Sequence, residues 1–161
     1  MDKTTLQEWL KLPERTKNNI FEETAKNVGL PYASAVEKDW WVVRTLELIF
    51  KSSIAQHTVF KGGTSLSKAW GLIDRFSEDI DLALDRKYLG IERTDQDMTN
   101  SQVVRLRKKS FKFITDTYLP ELKSLFLDAG FENVSIEPVE TKNDDEDPRN
   151  IEIIYTSVTE Q

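Results

Sequence analysis

With 161 residues, 39% of them apolar, the chain has enough hydrophobic material for one domain with a real core. No run of it approaches the roughly 18 consecutive apolar residues that cross a bilayer. The absence of cysteine excludes disulfides and thiolate metal sites, so any metal is held by oxygen ligands or by His57, the only histidine. A formal charge of −6 argues against charge-driven binding of nucleic acid over the whole surface and leaves room for a local basic face at most. The opening Met1-Asp2-Lys3 lacks the basic-then-apolar layout of a signal peptide, which points to a soluble, cytoplasmic protein.

Residues 1–52 read as a helical lead-in packed on a core formed by residues 53–161. Thr5 is placed to cap a short helix reaching Leu12, and Pro13 and Glu14 open a second that stops at Val28-Gly29. Pro31 starts a third, in which Val36, Trp40, Val43, Leu46 and Ile49 recur at near-helical spacing and form an apolar stripe. Trp9, Trp40, Trp41 and Trp70 all fall in helical segments, where aromatic residues are usually core, although each offers a face on which a base can stack.

From His57 the pattern changes. Thr58-Val59-Phe60 is β-branched and aromatic and runs into Gly62-Gly63, a strand entering a tight turn, after which Thr64 or Ser65 caps a short helix through Trp70. Asp79-Ile80-Asp81-Leu82 alternates polar with apolar, as a strand with one wet and one buried face does. A long amphipathic helix is expected from Ser101 to Ala129-Gly130, kinked or broken at Pro120. Within it, Arg105, Arg107, Lys108, Lys109 and Lys112 concentrate positive charge, as either a basic binding face or a solvated one. Residues 134–139 and 151–158 complete the set as strands. The run Asp144-Asp145-Glu146-Asp147 between them lacks the glycine turn of a calcium loop and reads as an exposed loop. This order of elements indicates an α+β (mixed α/β) domain, a small mixed sheet flanked by helices.

Asp79 and Asp81 share one strand face, with Cα atoms roughly 6.6 Å apart at about 3.3 Å rise per residue, so both carboxylates can converge on one cation. Magnesium suits such a pair, taking hard oxygen ligands while keeping positions open for water and substrate phosphates. Upstream, glycines that end a strand at a helix start allow backbone N–H groups to approach a phosphate. No Gly-Lys-Ser/Thr follows, so the turn is not a Walker loop. His57, just before the first strand, is left outside the site.

The run Phe60-Lys61-Gly62-Gly63-Thr64-Ser65-Leu66-Ser67-Lys68, followed by Arg75-Phe76-Ser77-Glu78-Asp79-Ile80-Asp81-Leu82, resembles the AbiEii/AbiGii toxin family of nucleotidyltransferases, within the polymerase-β-like superfamily. Glu37-Lys38-Asp39-Trp40-Trp41-Val42-Val43 is similar to the family's approach helix. The resemblance is good over residues 30–85 and loose elsewhere. It implies a polymerase-β-like core in which Gly62, Gly63, Thr64 and Ser65 hold a triphosphate and Asp79 and Asp81 bind Mg2+ or Mn2+. Lys61, Lys68 and Arg75 would supply phosphate-binding charge, with Ser77 beside them; Arg75 pairing with an acid and Ser77 capping the turn are the alternatives. Superfamily members usually carry Gly-Ser at the turn and a shorter spacer than the fifteen residues, 64–78, present here, which leaves open whether Thr64 or Ser65 does the phosphate work. A third carboxylate is expected on a later strand beyond Gln161, making this chain an N-terminal portion inactive alone, with Glu152 as the substitute.

The implied activity is transfer of a nucleoside monophosphate from a nucleoside triphosphate to an acceptor hydroxyl, on a tRNA end or a protein, by the toxin of a toxin–antitoxin or abortive-infection system with a cognate antitoxin. Two other readings remain: a metal-dependent glycosyltransferase using its Asp-x-Asp, which leaves the Gly-Gly-Thr-Ser turn without a purpose, and a non-catalytic, partner-binding remnant of the transferase fold.

Overall fold

The computed structural model describes residues 3–72, 78–92, 98–144 and 149–159. Three helices open the chain: α1 (Lys3–Lys11), α2 (Glu14–Val28) and α3 (Ala33–Ile49). Pro13 separates the first two from a position where its missing N–H costs nothing. Gly29 ends α2 in the left-handed conformation (φ 72°) that an L side chain resists. A 3-10 turn, Ala55–His57, leads into β1 (Thr58–Lys61), α4 (Gly62–Lys68) and β2 (Asp81–Leu84). Then come α5 (Asn100–Phe113), a π-helical turn (Ile114–Tyr118), α6 (Leu119–Asp128), β3 (Ser135–Pro138) and β4 (Ile151–Ile154). The order is the expected one, and the α+β class holds.

In place of one mixed sheet there are two antiparallel ribbons, β1 with β2 and β3 with β4. Each turns one face to a shared core containing Leu48, Ile49, Leu122, Phe126, Phe131 and Ile136, with Leu82, Leu84, Ile151 and Ile153 packed against it. Between the ribbons lies a cavity of about 1090 Å³, walled by Leu82 and Leu84 on one side and by Ile151 and Ile153 on the other. Among the described residues neither β2 nor β4 has a second strand partner.

Several boundaries differ from the expected ones. α1 begins at Lys3 rather than after a Thr5 cap. α4 begins at Gly62 with no side-chain cap, because the Thr64 hydroxyl is used elsewhere. Pro120 does not break the long helix: it sits in the first turn of α6, immediately after the π-helical turn, where a widened backbone tolerates a missing N–H. α5 starts with a capping box between Thr99 and Gln102. β4 ends at Ile154, and the segment after it docks on α3 instead of continuing as a strand.

Trp9, Trp40 and Trp41 join the core through an aromatic chain, with Trp9–Trp40, Trp40–Trp41 and Trp41–Phe131 centroids 5.5, 5.0 and 5.3 Å apart. Trp70 departs from that pattern and is 70% exposed, since α4 is too short to carry it back over the core. Among the described residues no helix is long and apolar enough to cross a membrane.

Candidate active site

Along residues 79–84 exposed and half-buried positions alternate, with Asp79 and Asp81 outward and Ile80, Leu82 and Leu84 inward. The ribbon register sets Lys61 directly opposite Asp81 on the exposed face, with no ion pair between them. Among the described residues neither Asp79 nor Asp81 has a side-chain hydrogen-bond or ion-pair partner. Two unpartnered carboxylates two residues apart on a wet face are an electrostatic cost that a cation relieves. As a pair of hard oxygen donors open to solvent they fit Mg2+ or Mn2+.

The turn before α4 is built around this pair. Gly62 takes φ 76°, and a Cβ placed on it would collide with the Asp81 carboxylate. Glycine is therefore required twice over, for the backbone conformation and for the close approach. The first-turn N–H groups of α4 have no partners within the helix. Thr64, 1% exposed, donates its hydroxyl to the Asp79 carbonyl at 2.5 Å and ties the turn to the segment bearing the aspartates, fifteen residues further along the chain. Ser65 is buried beside it, and Gly63 has open space around its α-carbon.

Lys61, Asp79 and Asp81 line the cavity between the ribbons; Gly62, Gly63, Thr64, Ser65 and Lys68 do not. Lys68 forms an ion pair with Asp39 of α3. Arg75 and Ser77 lie outside the described residues. Glu152 lines the same cavity from β4, opposite Glu137 in the β3–β4 register. It does not join the aspartates: among the described residues no group of three acids or histidines is positioned to hold one metal ion. His57, excluded from the site, stacks on Tyr88 with centroids 4.2 Å apart.

Three residues of the α3 run Glu37-Lys38-Asp39 are tied to three different segments around the aspartates. Glu37, 3% exposed, accepts from the Ser157 and Thr159 hydroxyls, each at 2.6 Å, and from the Val158 N–H at 2.9 Å. Lys38 pairs with Glu78 at 2.8 Å, and Asp39 pairs with Lys68. The clamp on residues 157–159 holds Tyr155 stacked on Trp41, centroids 4.4 Å apart, at the cavity wall. Burial, with the Glu37 and Glu78 carboxylates behind it, pushes the Tyr155 phenol up to about 12, so it stays neutral at physiological pH. Its role was not visible in the sequence; three charged residues in succession on a largely apolar helix were the available signal.

Residues 44–156 match the family model described as Nucleotidyl transferase AbiEii toxin, Type IV TA system. No curated protein and no solved structure matches the chain.

Proposed function

The chain belongs to the AbiEii family of nucleotidyl transferase toxins of type IV toxin–antitoxin systems, and on that premise we propose that it moves a nucleoside monophosphate from a nucleoside triphosphate to an acceptor hydroxyl. Asp79 and Asp81 would hold Mg2+, or Mn2+ in its place. The ion supplies charge neutralisation at the triphosphate. The acceptor oxygen bonds to the α-phosphorus as the bond to the β-phosphate oxygen breaks, and pyrophosphate leaves. Among the described residues Glu152, across the cavity and not ion-paired, is available to receive the acceptor's proton.

Gly62, Gly63, Thr64 and Ser65 serve this reading through the backbone N–H groups of the α4 first turn, since the Thr64 hydroxyl is committed to Asp79. Lys61, facing Asp81 without pairing to it, is a cation available to a phosphate. Lys68 would have to leave Asp39 to contribute. Arg75 and Ser77 keep the phosphate roles that the family resemblance implies. The natural partners on this reading are a cognate antitoxin and, as acceptor, a tRNA end or a protein hydroxyl, in the cytoplasm.

The observation that carries the proposal is the unpartnered Asp81 carboxylate set against Gly62, within the segment that matches the family. Titration calorimetry of the four nucleoside triphosphates with Mg2+, on the chain and on an Asp79→Ala, Asp81→Ala variant, tests it. Binding that needs both the ion and the aspartates is expected. A folded chain that binds no triphosphate, or binds it equally well without the aspartates, would overturn the proposal in favour of a non-catalytic role.

A further inference from the structure

Beyond Leu84, at the end of β2 away from Asp81, the chain closes into a compact turn. The Tyr88, Gly90 and Ile91 N–H groups donate to the Asp85, Lys87 and Arg86 carbonyls at 3.0, 2.8 and 3.0 Å. The turn is anchored to the body of the protein. Leu89 is 7% exposed, and Tyr88 stacks on His57 and meets Phe113 of α5 edge-on, centroids 5.5 Å apart.

Against this platform α5 lays Gln102, Arg105 and Lys109, whose i, i+3, i+7 spacing puts them on one helix face. With Lys87 they wall a concavity of about 780 Å³. The Lys109 ammonium hangs over Gly90, where an added Cβ would lie 3.4 Å from Nζ. The side-chain cations of Lys87, Arg105 and Lys109 have no hydrogen-bond or ion-pair partner among the described residues, although the Lys87 N–H donates to the Asp85 carboxylate at 2.9 Å, whereas the adjacent Lys108 is neutralised by Asp144 at 3.0 Å. Glu92 is the single acid among the described residues lining the concavity. Among the described lining residues three cations face one acid, the reverse of the balance of a chain of net charge −6.

We propose that this concavity binds the phosphate backbone of a single-stranded polynucleotide; the further statement that this strand is the acceptor rests on the transferase reading above. The span of β2 sets the separation: Leu84 is three steps along the strand from Asp81, about 10 Å. A strand whose end reaches the aspartates would pass its preceding phosphates along this wall, while a single triphosphate held at Gly62 would not engage both places. Three cations on two elements suit a repeating anion, and Gln102 adds a neutral donor and acceptor for sugar or base.

The test is fluorescence anisotropy with a labelled mixed-sequence RNA oligonucleotide at several salt concentrations, without triphosphate. About three phosphate contacts predict a log–log salt slope near −2, or roughly a 20-fold loss of affinity between 50 and 200 mM salt. A Lys87→Ala, Arg105→Ala, Lys109→Ala variant, its fold checked by circular dichroism, is expected to lose at least tenfold in affinity and most of the slope. A Lys11→Ala, Arg15→Ala, Lys26→Ala variant, with the same change in net charge on α1 and α2, is expected to keep both. Equal losses in the two variants, an unaltered slope in the first, or binding of a polyglutamate peptide with none of RNA would overturn the proposal. Calorimetry with triphosphate and Mg2+ on the concavity variant separates the two ideas: retained nucleotide binding with lost RNA binding locates the effect in the concavity, whereas wild-type RNA binding without nucleotide binding leaves the concavity standing and removes the transferase reading.

Discussion

Gly62 shows how much of the site rests on one missing methyl group. Alanine there must adopt a left-handed backbone, costing about 1–2 kcal/mol, and must also displace the Asp81 carboxylate from the position it now occupies. Gly62→Ala is therefore expected to lower the melting temperature by several degrees and to abolish Mg2+-dependent nucleotide binding. Gly63, helical and facing open space, should accept alanine without loss of stability. Melting curves and calorimetry on the two variants decide the point, and a Gly62→Ala protein that binds nucleotide normally would show that Asp81 acts from some other position. That Asp79 and Asp81 share one exposed face was legible in the sequence from the polar–apolar alternation of residues 79–82, although β2 itself begins only at Asp81. The role of Thr64 was not. Its hydroxyl chooses between a local cap and a carbonyl fifteen residues away, and only the tertiary structure settles that choice.

At the level of elements, the residues after β4 teach the same lesson from the opposite direction. Tyr155, Thr156 and Val158 have the β-branched and aromatic character of a strand, yet the ladder stops at Ile154 because Glu37 offers the following N–H groups and hydroxyls a buried charged acceptor. Such a contact joins positions 120 or more residues apart, and no local pattern reports it. Glu37→Ala would leave the Ser157, Val158 and Thr159 donors unmatched around a vacated pocket. A loss of about 2–4 kcal/mol in urea unfolding is expected, with faster hydrogen exchange at Val158 and Thr159 and altered tryptophan fluorescence as Tyr155 leaves Trp41. Glu37→Gln keeps one acceptor oxygen and should fall between. Unchanged exchange at Val158 would mean that the tail is held by something other than this carboxylate. The two separate ribbons were invisible for a related reason: the sequence marks strands, while which edges meet depends on whether Phe113 and Tyr118, with the cavity beside them, keep β2 and β4 apart.

Over the whole molecule, the helical lead-in and the ribbons share one hydrophobic cluster. Leu48 and Ile49 of α3 sit with Phe126 of α6 and Ile136 of β3, and Leu6 and Leu10 of α1 pack on the same group. Gln7 reaches from α1 to the Ala129 carbonyl at 3.2 Å, and the aromatic chain from Trp9 through Trp41 ends on Phe131 and Tyr155. The sequence changes from helical to mixed character near residue 52, and among the described residues the helical lead-in and the part after it pack into this one core. The expected consequence is a single cooperative transition. Unfolding followed by far-ultraviolet circular dichroism, dominated by the helices, should coincide with unfolding followed by tryptophan fluorescence, which reports on Trp9, Trp40 and Trp41 at the junction. Leu10→Ala, at the far end of the lead-in, should shift both curves together by about 2 kcal/mol. Two separated transitions, or a Leu10→Ala effect confined to one probe, would mean that residues 1–52 fold as their own unit, and the site residues would then owe nothing of their stability to α1.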